Sequence, residues 1–521
     1  MNDDFDVTDL PPEKAGTALD RRDMARMGKV QEMRRNFSFI PIFGFAAVLM
    51  ITWEAVFNSA SYVIINGGLA GMVWMYIVTF FGFGAAILAM AEMASMAPTS
   101  GGQYHWVSEF APKSYQKIMS YIVGWYCVLG WQAGIAGQCT TVAFQIIGMI
   151  ALNNEQYMEN DFREWHVVLL TIAVVTVAVV FNSFFARKLP LVEGLVLVLH
   201  VCGFFAILIP LWVFAPRNSS LDVWTNFSQL EDPENPGGTW SSIGLACLVG
   251  LSSSIYALIG PDSCVHMAEE VKDASRTIPW AMVSTLIFNG LTGLIMVISF
   301  AYCIGPLDVA RNPPTGFAFI GTFYNATGSK AGATIMTAII TVLSLCSAIS
   351  NVATASRQMF AFARDHGLPF DRYLAYVRPG WDIPVNAVCV SFCITSLLSL
   401  INLGSANAFN AILSIGVVAL LTSYLTSMSC ILIKRLRGEE LLPRRWSLGK
   451  TFGILCNSVG LAYIGLAFVF AFFPLRNNPD ANHMNWASAV YGGVGILAAG
   501  WYLVSARHTY VPPVSRLMKD L

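Results

Sequence analysis

The sequence predicts an all-α integral membrane protein of twelve transmembrane helices, and three observations carry that prediction. Of its 521 residues, 55% are hydrophobic and only 12% charged, about half the charged fraction of an ordinary soluble chain. Twelve apolar runs follow one another, at about 40–66, 70–94, 118–150, 166–185, 190–214, 241–263, 279–304, 332–355, 384–403, 409–433, 453–474 and 486–505, each near the ~20 residues that cross a hydrocarbon core. With the N-terminus placed in the cytoplasm, every Lys and Arg except Arg163, Arg217, Arg311, Lys330 and Arg476 falls in a cytoplasmic tail or loop, as the positive-inside rule requires.

An even number of spans puts both termini in the cytoplasm. Residues 1–37 read as a polar tail expected to be disordered, with no cleavable signal ahead of the first span, and 506–521 as a short second tail. The net charge of −1 says nothing about partners, and the cytoplasmic basic excess serves topology, so nucleic-acid binding is not expected. The chain carries no G-x-x-x-x-G-K-[ST] for ATP drive and no G-x-S-x-G or H-E-x-x-H. Its eleven Cys lie in or beside apolar runs without metal-ligand spacing, so neither a metal nor a cofactor is expected.

The first span holds the stretch Thr52-Trp53-Glu54-Ala55-Val56-Phe57-Asn58. Glu54 lies about 21 Å into the helix at 1.5 Å per residue, near mid-membrane. A carboxylate there costs on the order of 3 kcal/mol to insert unless it faces a cavity or a partner. It is either a transport residue or a protonated group in a structural hydrogen bond. The second span runs into Ala91-Glu92-Met93-Ala94-Ser95-Met96-Ala97-Pro98, then Gly101-Gly102-Gln103-Tyr104-His105-Trp106, where proline and glycines force a turn. In the third, Trp125 and Trp131 read as packing or belt aromatics, whereas Gln132 needs either a cavity or an interhelical partner.

His200 in the fifth span is again near mid-membrane, where an imidazole is either a proton carrier or a core residue bonded to a carbonyl. The sixth span packs Ser252, Ser253 and Ser254 ahead of Ile259-Gly260-Pro261-Asp262. Proline and glycine there free carbonyls that lipid would not tolerate, so the break must line a cavity. Interruptions in spans one and six, five helices apart, point to an inverted 5+5 repeat, at about 40–214 and 241–433, with a substrate site between the breaks. Spans eleven and twelve, about 453–505, complete the domain of 38–505. Sequons at Asn218, Asn226 and Asn325 fall in loops on the outer side, the expectation being a glycoprotein of the secretory route.

Three stretches carry a resemblance. The turn after span two (Glu92, Pro98 and Gly101-Gly102-Gln103-Tyr104-His105-Trp106), the stretch Ala268-Glu269-Glu270-Val271-Lys272-Asp273-Ala274-Ser275-Arg276-Thr277-Ile278-Pro279 after span six, and Ser356-Arg357 to Ala363-Arg364-Asp365 with Leu368-Pro369 and Pro384-Val385-Asn386-Ala387 resemble, in order, the signature motifs of the amino acid-polyamine-organocation (APC) transporters. The first looks like the fungal branch that handles amino acids, choline and GABA. The resemblance covers about residues 40 to 505.

It implies a LeuT-type 5+5 fold with two additional helices, alternating access, and a site where helices one and six unwind. It places His200 where several proton-coupled relatives have a lysine, Tyr256 at an aromatic gate, Asp262 at an acidic position below the break and Gln132 facing the pocket, with Ile259 and Gly260 supplying backbone groups. Most members have G-S/T-G in the first break; this chain has Trp53-Glu54-Ala55 there. An ionised Glu54 would repel a carboxylate at 4 Å by about 4 kcal/mol and attract a cation similarly, and Trp53 adds a π-face for an ammonium.

The expected function is therefore import of a small amine or amino acid (choline, GABA, a polyamine or an amino acid) by proton symport across the plasma membrane. Glu54, His200 and Asp262 are the proton-coupling candidates. An uncoupled exchanger or facilitator, a transporter-like nutrient receptor and an intramembrane enzyme using His200 are the alternatives.

Overall fold

The structure is a computed structural model, which describes residue 14 and residues 16–230, 238–307, 310, 315–378, 380–404, 408–481 and 483–516. In chain order its helices are α1 (Ala18–Arg26), α2 (Phe39–Met50), α3 (Thr52–Asn58), α4 (Ala60–Ile65), α5 (Gly68–Met96), α6 (Gln103–Phe110), α7 (Gln116–Asn153), α8 (Glu164–Phe184), α9 (Leu189–Phe214) and α10 (Ser220–Thr225). There follow α11 (Ile243–Leu258), α12 (Ser263–His266), α13 (Ala274–Cys303), α14 (Ala318–Thr327), α15 (Lys330–Arg364), α16 (Asp371–Leu374), α17 (Val385–Ser399), α18 (Ala408–Leu436), α19 (Lys450–Phe470) and α20 (Ala487–Trp501). A two-residue ladder, β1 (Asn66–Gly67) against β2 (Ser228–Gln229), is antiparallel.

Among the described residues, eleven helical segments are long and apolar enough to cross a membrane. The expected sixth span is the exception. It survives as the 16-residue α11, because the chain leaves the helix at Ile259 and turns at Gly260. The segments Phe39–Ile65, Gln116–Asn153 and Asn410–Leu436 are buried along most of their length, whereas Ala487–Arg516 is exposed along nearly all of its own. Exposed Phe81, Leu191, Leu195, Ile496 and Leu497 give the outer helices the apolar girdle that a lipid-facing surface needs.

The tail before residue 37 was expected to be disordered, yet from residue 16 onward it is ordered. Thr17 and Asp20 form a capping box for α1, and the Asp20 carboxylate accepts from the backbone N–H groups of Asp273 and Ala274 at 2.9 and 3.0 Å, capping α13. Phe37 pairs with the chain after α12: its N–H donates to Glu270 O, and Lys272 N–H donates to Phe37 O. These partners lie more than 200 residues away, so composition alone misses the docking.

The same face holds the charge network that the motif at 268–279 suggests. Arg364 grips Glu269 as a fork, at 2.9 and 2.6 Å, and Arg357 Nε donates to Glu270 at 2.8 Å. Lys29 pairs with Asp365, which also receives Tyr104 Oη at 3.0 Å and lies 3.4 Å from Arg516. The N- and C-terminal segments therefore meet at Asp365, and α15 runs helically past the expected end at 355, so that fully buried Arg357 and partly buried Arg364 can reach their partners. Burial would raise the carboxyls of Glu269 and Asp365. Arg364 on the first, with Lys29, Arg364 and Arg516 on the second, outweighs it and holds both below the usual range.

A depressed folded-state pKa keeps its stabilisation above the ordinary carboxylate range and loses it only as pH falls through the folded value. This closure stays charged at about pH 5. Burial pushes Lys29 down to about 8, with Asp365 opposing and Arg364 adding to the shift, which leaves it mainly protonated at neutral pH. Arg364→Gln should lower stability by about 3–5 kcal/mol, because it strands buried Glu269; thermal unfolding of the detergent-solubilised protein checks it.

Candidate functional site

The first membrane helix is broken at Ile51 and turns again at Ser59, between α3 and α4. α2 ends at Met50, Ile51 takes a left-handed conformation (φ 38°, ψ 47°), and α3 begins at Thr52. A β-branched residue at positive φ costs roughly 1–3 kcal/mol and persists only where its surroundings impose it. The surroundings here are polar clamps on the end of α2: Asn289 Nδ2 donates to Ala47 O at 2.9 Å and Ser347 Oγ to Leu49 O at 2.7 Å. In the second interruption, α11 ends at Leu258 and Gly260 adopts φ 112°, a conformation open to glycine.

The two breaks touch. A Cβ added at Gly260 would stand 3.1 Å from Leu49 Cδ2 and 3.7 Å from Met50 Cγ. Between the breaks and the seam of α7 with α18 lies a cavity of about 70 Å³. Its polar contributors are Gln138, Asn351, Tyr256 and Trp131 together with the backbone of Ile51, Ile259 and Gly260, and no lining residue carries a charged side chain. The close seam depends on small residues: a Cβ added at Gly130 would stand 2.8 Å from Leu420 Cγ, and one at Gly137 2.7 Å from Leu413 Cδ2.

Broken helices place opposite partial charges at such a cavity. The terminal carbonyls of α2 and α11, at the cavity wall, suit an ammonium, and the positive end of α3 begins one residue beyond Ile51.

Away from the termini, two further spaces continue the cavity. Tyr256 is common to the main cavity and a space of about 20 Å³, and Tyr62, Ser252 and Ser414 are common to that and a space of about 150 Å³ reaching Arg476 and His483. Tyr62 Oη donates to Asn410 Oδ1 at 2.6 Å, and this contact with Tyr256 forms a thin barrier. Toward the termini the barrier is thick. Trp131 Nε1–H donates to His266 Nε2 at 3.0 Å, so His266 holds its proton on Nδ1 and donates it to Ser100 O at 2.9 Å. Beside it, buried Asp262 accepts from Gln103 at 2.6 Å and Tyr424 at 2.5 Å. Below these lie the ion pairs of Glu269 and Asp365.

The structure joins two of the three proton candidates. Glu54 Oε1 and His200 Nδ1 are 2.8 Å apart, with both residues at most 1% exposed. The rings of Trp53 and Phe288 stand 5.6 and 6.1 Å from the imidazole. Glu54 Oε2 and His200 Nε2 have no hydrogen-bond partner among the described residues.

Of the residues read from the sequence as substrate contacts, Tyr256, Ile259 and Gly260 line the cavity, whereas Trp53, Glu54, Ala55 and Gln132 do not. The break falls at Ile51, so Trp53 to Ala55 lie inside α3 and the acid turns to α9 instead of the cavity. Gln132 points from α7 to α17, where its Nε2 donates to Ser391 Oγ at 2.9 Å. Gln132→Ala should accordingly leave the KM for substrate within about twofold, as concentration-dependent uptake would show. Asp262 lies below the cavity, apart from the Glu54–His200 pair.

Sequence reasoning missed Asn351 and Gln138, which look like packing amides in long helices, and Glu193. This buried acid on α9 receives Ser350 Oγ at 2.7 Å; placed three residues into its run, it counts as interfacial from sequence. Asn226 and Asn325 are exposed, while Asn218 is half-buried and donates to Ala301 O at 2.9 Å.

Residues 37–496 match the family model described as amino acid permease. A protein of Macrophomina phaseolina, named among amino acid/polyamine transporters, is 30% identical over 86% of this chain and 96% of its own. The choline transporter of Saccharomyces cerevisiae is 27% identical over 93% of this chain and 84% of its own. The GABA-specific permease of the same yeast is 26% identical over 97% and 88%.

Proposed function

The chain belongs to the amino acid permease family, a multi-pass membrane transporter and not an enzyme, and from that premise we propose that it imports a small amine or amino acid by proton symport. The observation that carries the reading is the meeting of two helix breaks around a cavity lined by polar but uncharged groups. Such a site holds a zwitterion at opposite helix ends, or an amine against carbonyls and the faces of Trp131 and Tyr256. The sequence-based expectation of a cationic or zwitterionic nitrogen compound rested on Glu54 in the cavity. With Glu54 turned to His200, a zwitterionic amino acid or GABA-like substrate fits as well as an amine.

The names of the choline and GABA relatives support that class. The 5+5 inverted repeat of twelve spans, with α11 and α12 as the two halves of span six, is the topology we assign. The face bearing the termini is taken as cytoplasmic, and the thin barrier at Tyr62, Asn410 and Tyr256 as the outer gate. Asn218, Asn226 and Asn325 then lie outside, available for glycosylation at the plasma membrane.

For coupling, the aromatic surroundings of Glu54 and His200 make a net charge on the pair costly. A neutral pair holds two protons, one in the shared bond and one on an outer atom, and losing one leaves a buried negative charge. We assign the coupled proton to this pair. Uptake of a panel of radiolabelled amines and amino acids by cells expressing the protein, at external pH 5 and 7.5, tests the reading. Accumulation of one class, faster at the lower pH, is the expected result; pH-independent equilibration would assign a facilitator instead.

A further inference from the structure

On the face bearing the termini, outside the transport route, lies a second cavity of about 880 Å³. Six segments remote in sequence build it: α1, the end of α5 at Ser95, the turn between α6 and α7, the start of α13 at Ser275, the end of α18 with the following loop, and the C-terminal segment around Pro512–Ser515. Its walls carry Arg22, Arg26, Lys113, Lys117, Lys434, Arg444 and Arg445 against only two acids, Asp23 and Glu109. A positive-inside loop set requires basic residues on this face, but it does not require them to converge on one hollow.

Several of these charges are already answered. Arg444 lies 2.8 Å from Glu92 and Arg445 pairs with Asp273, while Asp23 sits 3.5 Å from Arg26 and Glu109 3.4 Å from His105. The three lysines are not. Lys117 donates to the carbonyl of Arg507, Lys434 lies over the Phe110 ring, and Lys113 is exposed with no partner among the described residues. Arg26 Nε is buried without an acceptor among the described residues, while its Nη2 donates to Met96 O at 2.7 Å.

We propose that this cavity is a binding site for a multiply phosphorylated anion. Three ammonium groups without an acid partner, set among arginines, match several phosphates on one scaffold, and the volume suits a substituted ring better than a single phosphate. Lys117 at the start of α7 and Lys434 near the end of α18 sit where membrane-crossing helices end, at headgroup depth. A phosphoinositide headgroup and a soluble inositol polyphosphate share the chemistry. A bound anion would tie α1 and the C-terminal segment to the ends of α7 and α18. The lipid source rests on the termini facing the cytoplasm; binding measured in micelles does not.

The test uses the full chain purified in uncharged detergent, titrated with short-chain phosphatidylinositol 4,5-bisphosphate, with inositol trisphosphate and with inorganic phosphate, following binding and thermal unfolding. Binding of the lipid alone, or of lipid and soluble headgroup alike, supports the site and tells the two sources apart. In either case inorganic phosphate should bind far more weakly, and Lys113→Gln/Lys434→Gln should weaken binding roughly tenfold or more, with Lys330→Gln on the opposite face unchanged. No saturable binding, or equal loss in the Lys330→Gln protein, overturns the proposal. Lys113 is exposed and Lys434 half-buried with no acid partner among the described residues, so the double variant should elute as the parent does on gel filtration.

Discussion

Gly260→Ala should reduce uptake about tenfold to a hundredfold while the protein still reaches the membrane. The residue sits at φ 112°, where an L side chain costs roughly 1–3 kcal/mol, and 1.4 kcal/mol corresponds to a factor of ten. The added methyl would also press on Leu49 at 3.1 Å. Leu49 can shift its side-chain end, but its own carbonyl is held by Ser347, so relief on one break is taken up by the other. Both effects fall on the cavity wall and neither on the ion-pair closure. Uptake should therefore fall further than thermal stability does, as surface labelling and unfolding of the same preparation would show.

His200→Ala should be the more damaging change at the proton pair, and Glu54→Gln the more informative. Removing the imidazole leaves Glu54, at 0% exposure, without its hydrogen-bond partner. Stranding one member of a buried pair costs about 3–5 kcal/mol. In Glu54→Gln the amide N–H can donate to His200 Nδ1, so the bond survives and stability falls by only about 1 kcal/mol. The double variant Glu54→Gln/His200→Ala should be more stable than His200→Ala, since no carboxylate is stranded; a thermal-unfolding cycle over the four proteins checks the sign. If His200→Ala were as stable as the parent, the pair would not be the closed polar unit that its geometry describes.

The sequence made the membrane body legible because hydropathy and charge sidedness are local properties. Glu54 and His200 stood out because a titratable group at mid-membrane has few structural excuses. The break at Gly260-Pro261 was legible from residue type, whereas the break at Ile51 was not: isoleucine is nearly the last residue one would place at positive φ, and only Asn289 and Ser347, both more than 200 residues away, hold it there. That displacement removed Trp53, Glu54 and Ala55 from the cavity. The order in the N-terminal segment was hidden for the same reason, its partners being Glu270, Asp273 and Asp365. Asn351 and Gln138 carried no signal, because an amide in a long helix is usually satisfied by its neighbours.

The central claim is that a substrate held between the two breaks moves together with a proton handled by Glu54 and His200. It is tested most directly in liposomes containing the purified protein and a pH-sensitive dye, with the substrate identified by the uptake panel. The parent protein should acidify the lumen when substrate is added outside. Glu54→Gln should exchange labelled for unlabelled substrate yet produce no acidification. Acidification by Glu54→Gln equal to that of the parent would contradict the account.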